Sequence, residues 1–246
     1  MRTSHEQESG EGGNSMTVEL IAFTPDPERI CGEAAAICTH SGNPEKALRA
    51  AMRSGHESVL EHASYTFRIT GLSRVALAQL TRHRLASFSV QSQRYVPLEP
   101  KSQHYPDSIE KHGFSRKTAR LMKAAMDLYA EMTEAGVPRE DARYLIPQGI
   151  ETELILTMNV RELRHFFRLR CCERAQEEMQ NLADTMLELC RNTAPLLFRD
   201  AGAPCVLGTC PEAHPCGSYH VNPPSLRDTT ENAMKDEINS KAREET

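Results

Sequence analysis

The chain has 246 residues, 39% of them hydrophobic and 26% charged, and a formal net charge of −5. That is enough for a sizeable core in one domain or two, and too acidic overall for a protein that coats nucleic acid, so any anion site must be a local basic cluster. No apolar run approaches the ~20 residues of a membrane span, no apolar signal region opens the chain, and the eight cysteines form no disulfide framework, so the expectation is a soluble cytoplasmic protein with reduced thiols and no membrane partner.

Residues 1–15 are rich in Gly, Ser and Glu without apolar periodicity and read as a disordered extension, with Met16 as a second candidate start. Residues 16–202 carry the periodic elements. Residues 17–23 alternate as a strand. Asp26-Pro27 reads as an N-cap and first helical position, with the helix running to about His40, and Asn43-Pro44 repeats the device for a helix ending near Gly55. Residues 63–70 alternate as a half-buried strand that Gly71 breaks, and 73–81 form a short helix. Residues 87–96 read as loop followed by strand, and 97–113 as loop. Residues 115–135 form an amphipathic helix with Leu121, Ala125, Leu128, Met132 and Ala135 inward, stopped by Gly136. Residues 138–144 form a short helix and 151–158 a strand. Asn159 caps the helix over 161–169, and a long helix follows to about Cys190, with Ala175, Met179, Leu182, Met186 and Leu189 or Cys190 inward. Residues 203–246 form a Cys- and Pro-containing, then polar, tail that is disordered from about 222. Strands and helices do not alternate regularly and no Gly-rich dinucleotide turn is present. The fold class is therefore α+β, an antiparallel sheet packed with long helices.

The most informative segment is Arg82-His83-Arg84, followed after seven residues by Ser92-Gln93-Arg94-Tyr95. It lies between the apolar runs Val75-Ala76-Leu77-Ala78 and Val96-Pro97, where a merely solvated basic run does not belong. Guanidinium groups suit bidentate phosphate recognition, so the segment reads as an anion-binding floor inside a domain. Arg-His-Arg, seven residues, then Ser resembles the hallmark of the flavin-dependent thymidylate synthases. The resemblance extends to the 56–62 run His-Glu-Ser-Val-Leu-Glu-His, to Gln79, to Ala142-Arg143-Tyr144-Leu145-Ile146-Pro147, to Asn159-Val160-Arg161 and to Leu169-Arg170, and it covers roughly residues 16 to 201.

The resemblance implies reductive methylation of dUMP to dTMP. The carbon comes from 5,10-methylenetetrahydrofolate and the hydride from FAD recharged by NADPH, in a homotetramer with active sites between subunits. It assigns Arg170 to polarising the uracil. It assigns Gln79, Arg82, Ser92, Gln93, Arg94 and Arg143, with Arg170, to holding the nucleotide. It assigns His56, Ser58, Arg82, His83, Arg84, Asn159, Arg161 and His165 to the flavin. His165 stands where relatives often carry Asn, and imidazole also donates or accepts. Val90 stands where relatives commonly have Glu or Gln, so a backbone contact survives there and a side-chain contact does not.

The chemistry agrees with that reading. Uracil C5 becomes nucleophilic by covalent attack of a thiolate at C6, or by stabilising negative charge on the N3–C4–O4 edge. Cys31, Cys38 and Cys190 fall on helix faces as core, and Cys171-Cys172 lie beside arginines with no base placed by the sequence. Ser92 has no assignable Asp-His partner. The charge-stabilising route needs guanidinium groups, which are present. Taken singly, Arg170 also reads as a surface cap of a helix C-terminus, Arg161 as a helix-surface residue, and His56 as structural. Cys205, Cys210, His214, Cys216 and His220 are of zinc-ligand type but fit no standard knuckle spacing, and the plainer reading is a tail of free thiols. The alternative function is a non-catalytic nucleotide- or RNA-binding protein on the same basic floor. An aromatic content of 5%, no Trp and the acidic charge weigh against it.

Overall fold

The computed structural model describes residues 4–5, 16–97, 104–207 and 210–217. Five strands form one antiparallel sheet: β1 (Ser4–His5), β2 (Thr17–Phe23), β3 (Ser64–Ser73), β4 (Ala86–Val90) and β5 (Glu151–Asn159), in the order β1-β2-β3-β5-β4. β1 is a two-residue addition that pairs Ser4 with Glu19. The two central strands set the layers. Tyr65, Phe67 and Ile69 of β3, and Leu154, Leu156 and Met158 of β5, are fully buried on one face. On the other, Thr66 and Thr157 share a hydroxyl hydrogen bond of 3.0 Å and Arg68 lies 3.7 Å from Glu153. Strict period-2 alternation makes such a sheet bury one face and wet the other.

Helices cover the apolar face: α1 (Pro27–Thr39), α2 (Pro44–Arg53), α3 (Arg74–Leu80), α7 (Val160–Arg170), α8 (Glu177–Thr193) and α9 (Pro195–Phe198). Phe166 and Phe167 of α7 and Met179, Leu182, Met186 and Cys190 of α8 fill the core, and Phe198 meets Tyr65 edge-on at 5.5 Å. A second, smaller cluster joins Met126 and Tyr129 of α5 (Ser115–Glu134) to Ala142, at the end of α6 (Arg139–Ala142), and to Ile150. α4 (Asp107–Lys111) precedes it. Among the described residues no helix is long and apolar enough to cross a membrane. The expected α+β class with an antiparallel sheet is what the chain adopts.

Several local expectations are corrected. Asp26 does not cap α1 with its side chain. Its backbone is left-handed and its carboxylate instead approaches Arg29 at 3.8 Å. Gly71 does not end β3. With φ 75° it sits in an irregularity between Ile69 and Leu72, and the strand resumes to Ser73, a device open to glycine. Residues 86–90 are strand and 93–95 turn, the reverse of the expected order, because β4 pairs with Leu154–Met158 before the chain leaves the sheet. The expected loop over 97–113 contains α4. α8 begins after Ala175, and Cys38 is exposed rather than core.

The largest correction concerns α5. Its buried face is Met122, Met126 and Tyr129, while Leu121 is 73% exposed and Leu128 is exposed beside it. Two apolar stripes one residue apart (about 100° around the helix) compete on this segment. Met122, with Gly149 close against its methyl, and the Ala142–Ile150 cluster take the second stripe.

Candidate active site

The site begins with a buried carboxylate. Ser73, the last residue of β3, donates its N–H to Glu178 Oε1 at 2.6 Å and its hydroxyl to Glu178 Oε2 at 2.5 Å. The same hydroxyl oxygen accepts from Ala76 N at 3.1 Å and caps α3. Glu178 is 6% exposed, so α8 fixes where α3 starts. α3 then delivers Gln79 and the turn Arg82-His83-Arg84. Gln79 turns its side-chain amide to Gln176, and its carbonyl accepts from Arg82 N.

α7 is the rail along which the separated motifs meet. Asn159 caps it by accepting from Glu162 N at 2.9 Å, as expected. His83 lies against it, 4% exposed. Its Nδ1 is 3.0 Å from Glu162 Oε1, and its Nε2 accepts from Arg170 Nε at 3.3 Å. Those two bonds assign the tautomer: the proton is on Nδ1, donated to the carboxylate, and the imidazole is neutral. Burial, and then the Arg170 charge, lower the His83 pKa against the opposing pull of Glu162. A close carboxylate alone argues for imidazolium, but a protonated Nε2 could not accept from a guanidinium, so the neutral ring is the consistent state. Arg170 also donates from Nη2 to the Gln79 carbonyl at 3.3 Å. Burial and the neighbouring Arg82 hold its pKa below the ordinary value. Nη1 takes part in neither bond.

The remaining nucleotide-binding candidates, Ser92, Gln93, Arg94 and Arg143, gather around Arg74 at the start of α3, apart from Gln79, Arg82 and Arg170 at its end. Ser92 and Gln93 are half-buried, and Ser92 Oγ accepts from Arg94 N at 3.2 Å. Arg94 is exposed and paired with Glu140 at 2.6 Å, and its guanidinium lies 5.5 Å from the Tyr95 ring. Arg143 donates to the Glu140 carbonyl at 3.1 Å. Arg74 was not anticipated. It donates to the Gln91 carbonyl at 3.0 Å, its buried Nε has no partner among the described residues, and burial followed by the Arg143 charge lowers its pKa. Two guanidiniums close enough to repel, one of them with a partnerless buried Nε among the described residues, make an anion-seeking corner.

The flavin candidates run along the N-terminal half of α7. His56 and Ser58 are exposed at the 3₁₀ turn Glu57–His62, and Arg161 bonds Glu61 at 2.5 Å and reaches Glu57 at 3.9 Å, tying that turn to α7. His165 stacks edge-on with His83 at 5.9 Å. Arg82 and Arg84 are exposed and make no ion pair among the described residues. His83, by contrast, has both ring nitrogens engaged by the protein. Val90 packs half-buried against the core from β4, so only its backbone is available.

Beyond Arg170, a cavity of about 300 Å³ is lined by His165, Arg168, Arg170, Cys172, Cys205 and Cys210, among others. Its outer wall is formed by Pro204, Cys205 and residues 210–217, and Arg174 donates to Glu212 at 3.2 Å and to the His214 carbonyl at 2.6 Å there. Among the described residues no three His, Cys, Asp or Glu side chains are grouped to hold a metal ion, and His220 lies outside the described residues. Cys171, adjacent to Arg170, is buried, and burial pushes its thiol well above the ordinary range.

Residues 19–196 match the family model described as thymidylate synthase complementing protein, well over half of the chain. The chain belongs to that family. A flavin-dependent thymidylate synthase from Geobacter sulfurreducens is 45% identical over 212 residues, covering 80% of this chain and 91% of the relative. Proteins of the same name from Clostridium tetani and Nitratidesulfovibrio vulgaris are each 40% identical and cover 92% and 94% of their own lengths. As a thymidylate synthase complementing protein family member, the chain carries every candidate residue from position 56 to 170 inside the matched span, while the cavity wall of Pro204, Cys205 and residues 210–217 lies beyond it.

Proposed function

We propose that the protein is a flavin-dependent thymidylate synthase, methylating dUMP reductively to dTMP with methylenetetrahydrofolate as carbon donor, FAD as hydride carrier and NADPH as its reductant. The observation that carries this is Arg170. Its guanidinium is half-buried, held by two acceptors, pressed by Arg82, and lines a cavity with Nη1 in neither of those bonds. A preorganised cation of this kind stabilises charge that develops on the pyrimidine edge. Arg74 and Arg143, with the Ser92–Arg94 turn, hold the phosphate and set the ring against Arg170. Arg94 reaches the phosphate by leaving Glu140.

The flavin, when bound, supplies the hydride. Arg82 and Arg84, exposed and without an ion pair among the described residues, fit its diphosphate, with Asn159, Arg161 and His165 along α7 and Ser58 on the adjoining 3₁₀ turn. For Arg161 a ligand must compete with Glu57 and Glu61. No protein nucleophile is required, and the buried, raised thiol of Cys171 is not a thiolate at neutral pH. The working unit is proposed to be a cytoplasmic homotetramer. The exposed Leu121 and Leu128 stripe of α5 supports burial against another chain.

The test is spectroscopic. The purified protein should be yellow, bleach with NADPH, and convert dUMP to dTMP when folate is added. A colourless protein that binds RNA instead would return the function to a non-catalytic binding module.

A further inference from the structure

We propose that Glu162 is a positioning residue of this site: through the tautomer of His83 it fixes the orientation of the Arg170 guanidinium. The inference rests on the assignment of Arg170 above and adds a residue that the motif reading did not contain. In the sequence Glu162 stands three positions after the cap residue Asn159, the place where a Glu normally reaches back to the cap N–H as half of a capping box. Here it does something else. Its carboxylate, 6% exposed, bonds His83 Nδ1 at 3.0 Å, and Val160 N and Glu162 N are satisfied by Ala63 O and Asn159 Oδ1.

A buried carboxylate is costly unless its charge is used. It offers only acceptor atoms, so His83 must present Nδ1–H. That leaves Nε2 with a lone pair and no proton, and Nε2 is the atom to which Arg170 Nε donates at 3.3 Å. The second anchor of Arg170, the Gln79 carbonyl, cannot fix the guanidinium plane alone, because one hydrogen bond leaves rotation about its own axis. Two acceptors at Nε and Nη2 define the plane and aim Nη1. The opposite tautomer would put an N–H against an N–H, and imidazolium would add a like charge. Removing the carboxylate therefore releases the ring, then the guanidinium.

Among the described residues, the titratable groups that act on His83 come from α7: Glu162, Arg170 and His165. Two of these, Arg170 and His165, hold its pKa down, as burial does, and Glu162 alone holds it up. The sign follows. Activity is lost on the acid side when His83 is protonated, and deleting the Glu162 charge moves that acid limb to lower pH, while lowering the plateau because the tautomer is no longer imposed.

The experiment compares wild type, Glu162→Gln, His83→Asn and the double variant, as flavin-loaded enzymes. Rates of dTMP formation are measured across pH at saturating dUMP, with flavin content read by absorbance. The expected result is a fall of tenfold or more in kcat for Glu162→Gln, with flavin retained. Its acid limb should move down in pH, and it should add no further loss in the His83→Asn background, as expected for residues acting as one unit. A wild-type acid limb in Glu162→Gln, or losses that multiply in the double variant, would overturn the proposal. Should Glu162→Gln not fold, Glu162→Asp carries the cycle, since it keeps the charge but withdraws the carboxylate from Nδ1. Multiplying losses there overturn the relay equally. An inactive, flavin-free wild type would instead sink the thymidylate synthase reading.

Discussion

Replacing Arg170 separates function from stability more sharply than any other change at this site. Arg170→Ala deletes the donor to His83 Nε2, the donor to the Gln79 carbonyl and the Nη1 that neither bond uses. If that guanidinium stabilises charge on the pyrimidine, the loss is ~10²–10³ in turnover, about 3–4 kcal/mol of transition-state stabilisation. The folded state should hardly miss it. Burial and Arg82 both lower the Arg170 pKa, so its charge is held in the fold at a cost rather than a gain. In a chain of this length 1 kcal/mol moves Tm by about 2–4 °C. The expected signature is a Tm unchanged within a few degrees, or raised, with flavin retained and dTMP formation down by two to three orders of magnitude. Arg170→Lys should recover little, because one ammonium cannot meet His83, Gln79 and a ligand in a plane. Chromatographic quantitation of dTMP, with thermal denaturation on the same samples, reads both arms. Turnover within a few-fold of wild type would refute the assignment. A Tm collapse would show that Arg170 is structural.

Glu178→Leu should lower Tm by roughly 10 °C, since it strands the Ser73 N–H and hydroxyl in the core at ~3–5 kcal/mol, and an unchanged melt would show that water replaces the carboxylate. Arg74→Met should raise KM for dUMP at least tenfold while leaving flavin content alone, and equal losses with the unphosphorylated nucleoside would place Arg74 away from the phosphate. Thiol labelling of the native protein should modify exposed Cys38 and Cys216 first and spare Cys31 and Cys190 until unfolding. Burial pushes the Cys31 thiol up to about 11 from 9.0, a raised acid, so its contribution to stability is whole below pH 9 and erodes between those values, which urea melts across pH can detect. Leu128→Glu should reduce the oligomer to smaller species in native mass spectrometry, and an unaltered assembly would exclude the α5 stripe from the contact.

What could be read from the sequence, and what could not, divides by the range of the interactions. Alternation over 64–69 and 151–158 was sufficient for β3 and β5, because period 2 reports burial on one face directly. The cap at Asn159 was legible because it is satisfied three residues away. α5 was not, because its two apolar stripes are equivalent until Gly149 and Ile150, distant in sequence, choose between them. The site follows the same division. Arg82, His83 and Arg84 announce themselves as charges between apolar runs, whereas Arg170 alone reads as a helix-end cap and is singled out only by the resemblance. Glu162 and Glu178 do not, since each stands in the first turn of a helix, where a carboxylate already has a local reason to be. Only the approach of His83 across 79 positions, and of Ser73 across 105, turns those two from helix-end charges into the buried frame on which the arginines are hung. The motif supplies the cations. Their orientation resides in carboxylates whose local pattern describes a different and more ordinary job.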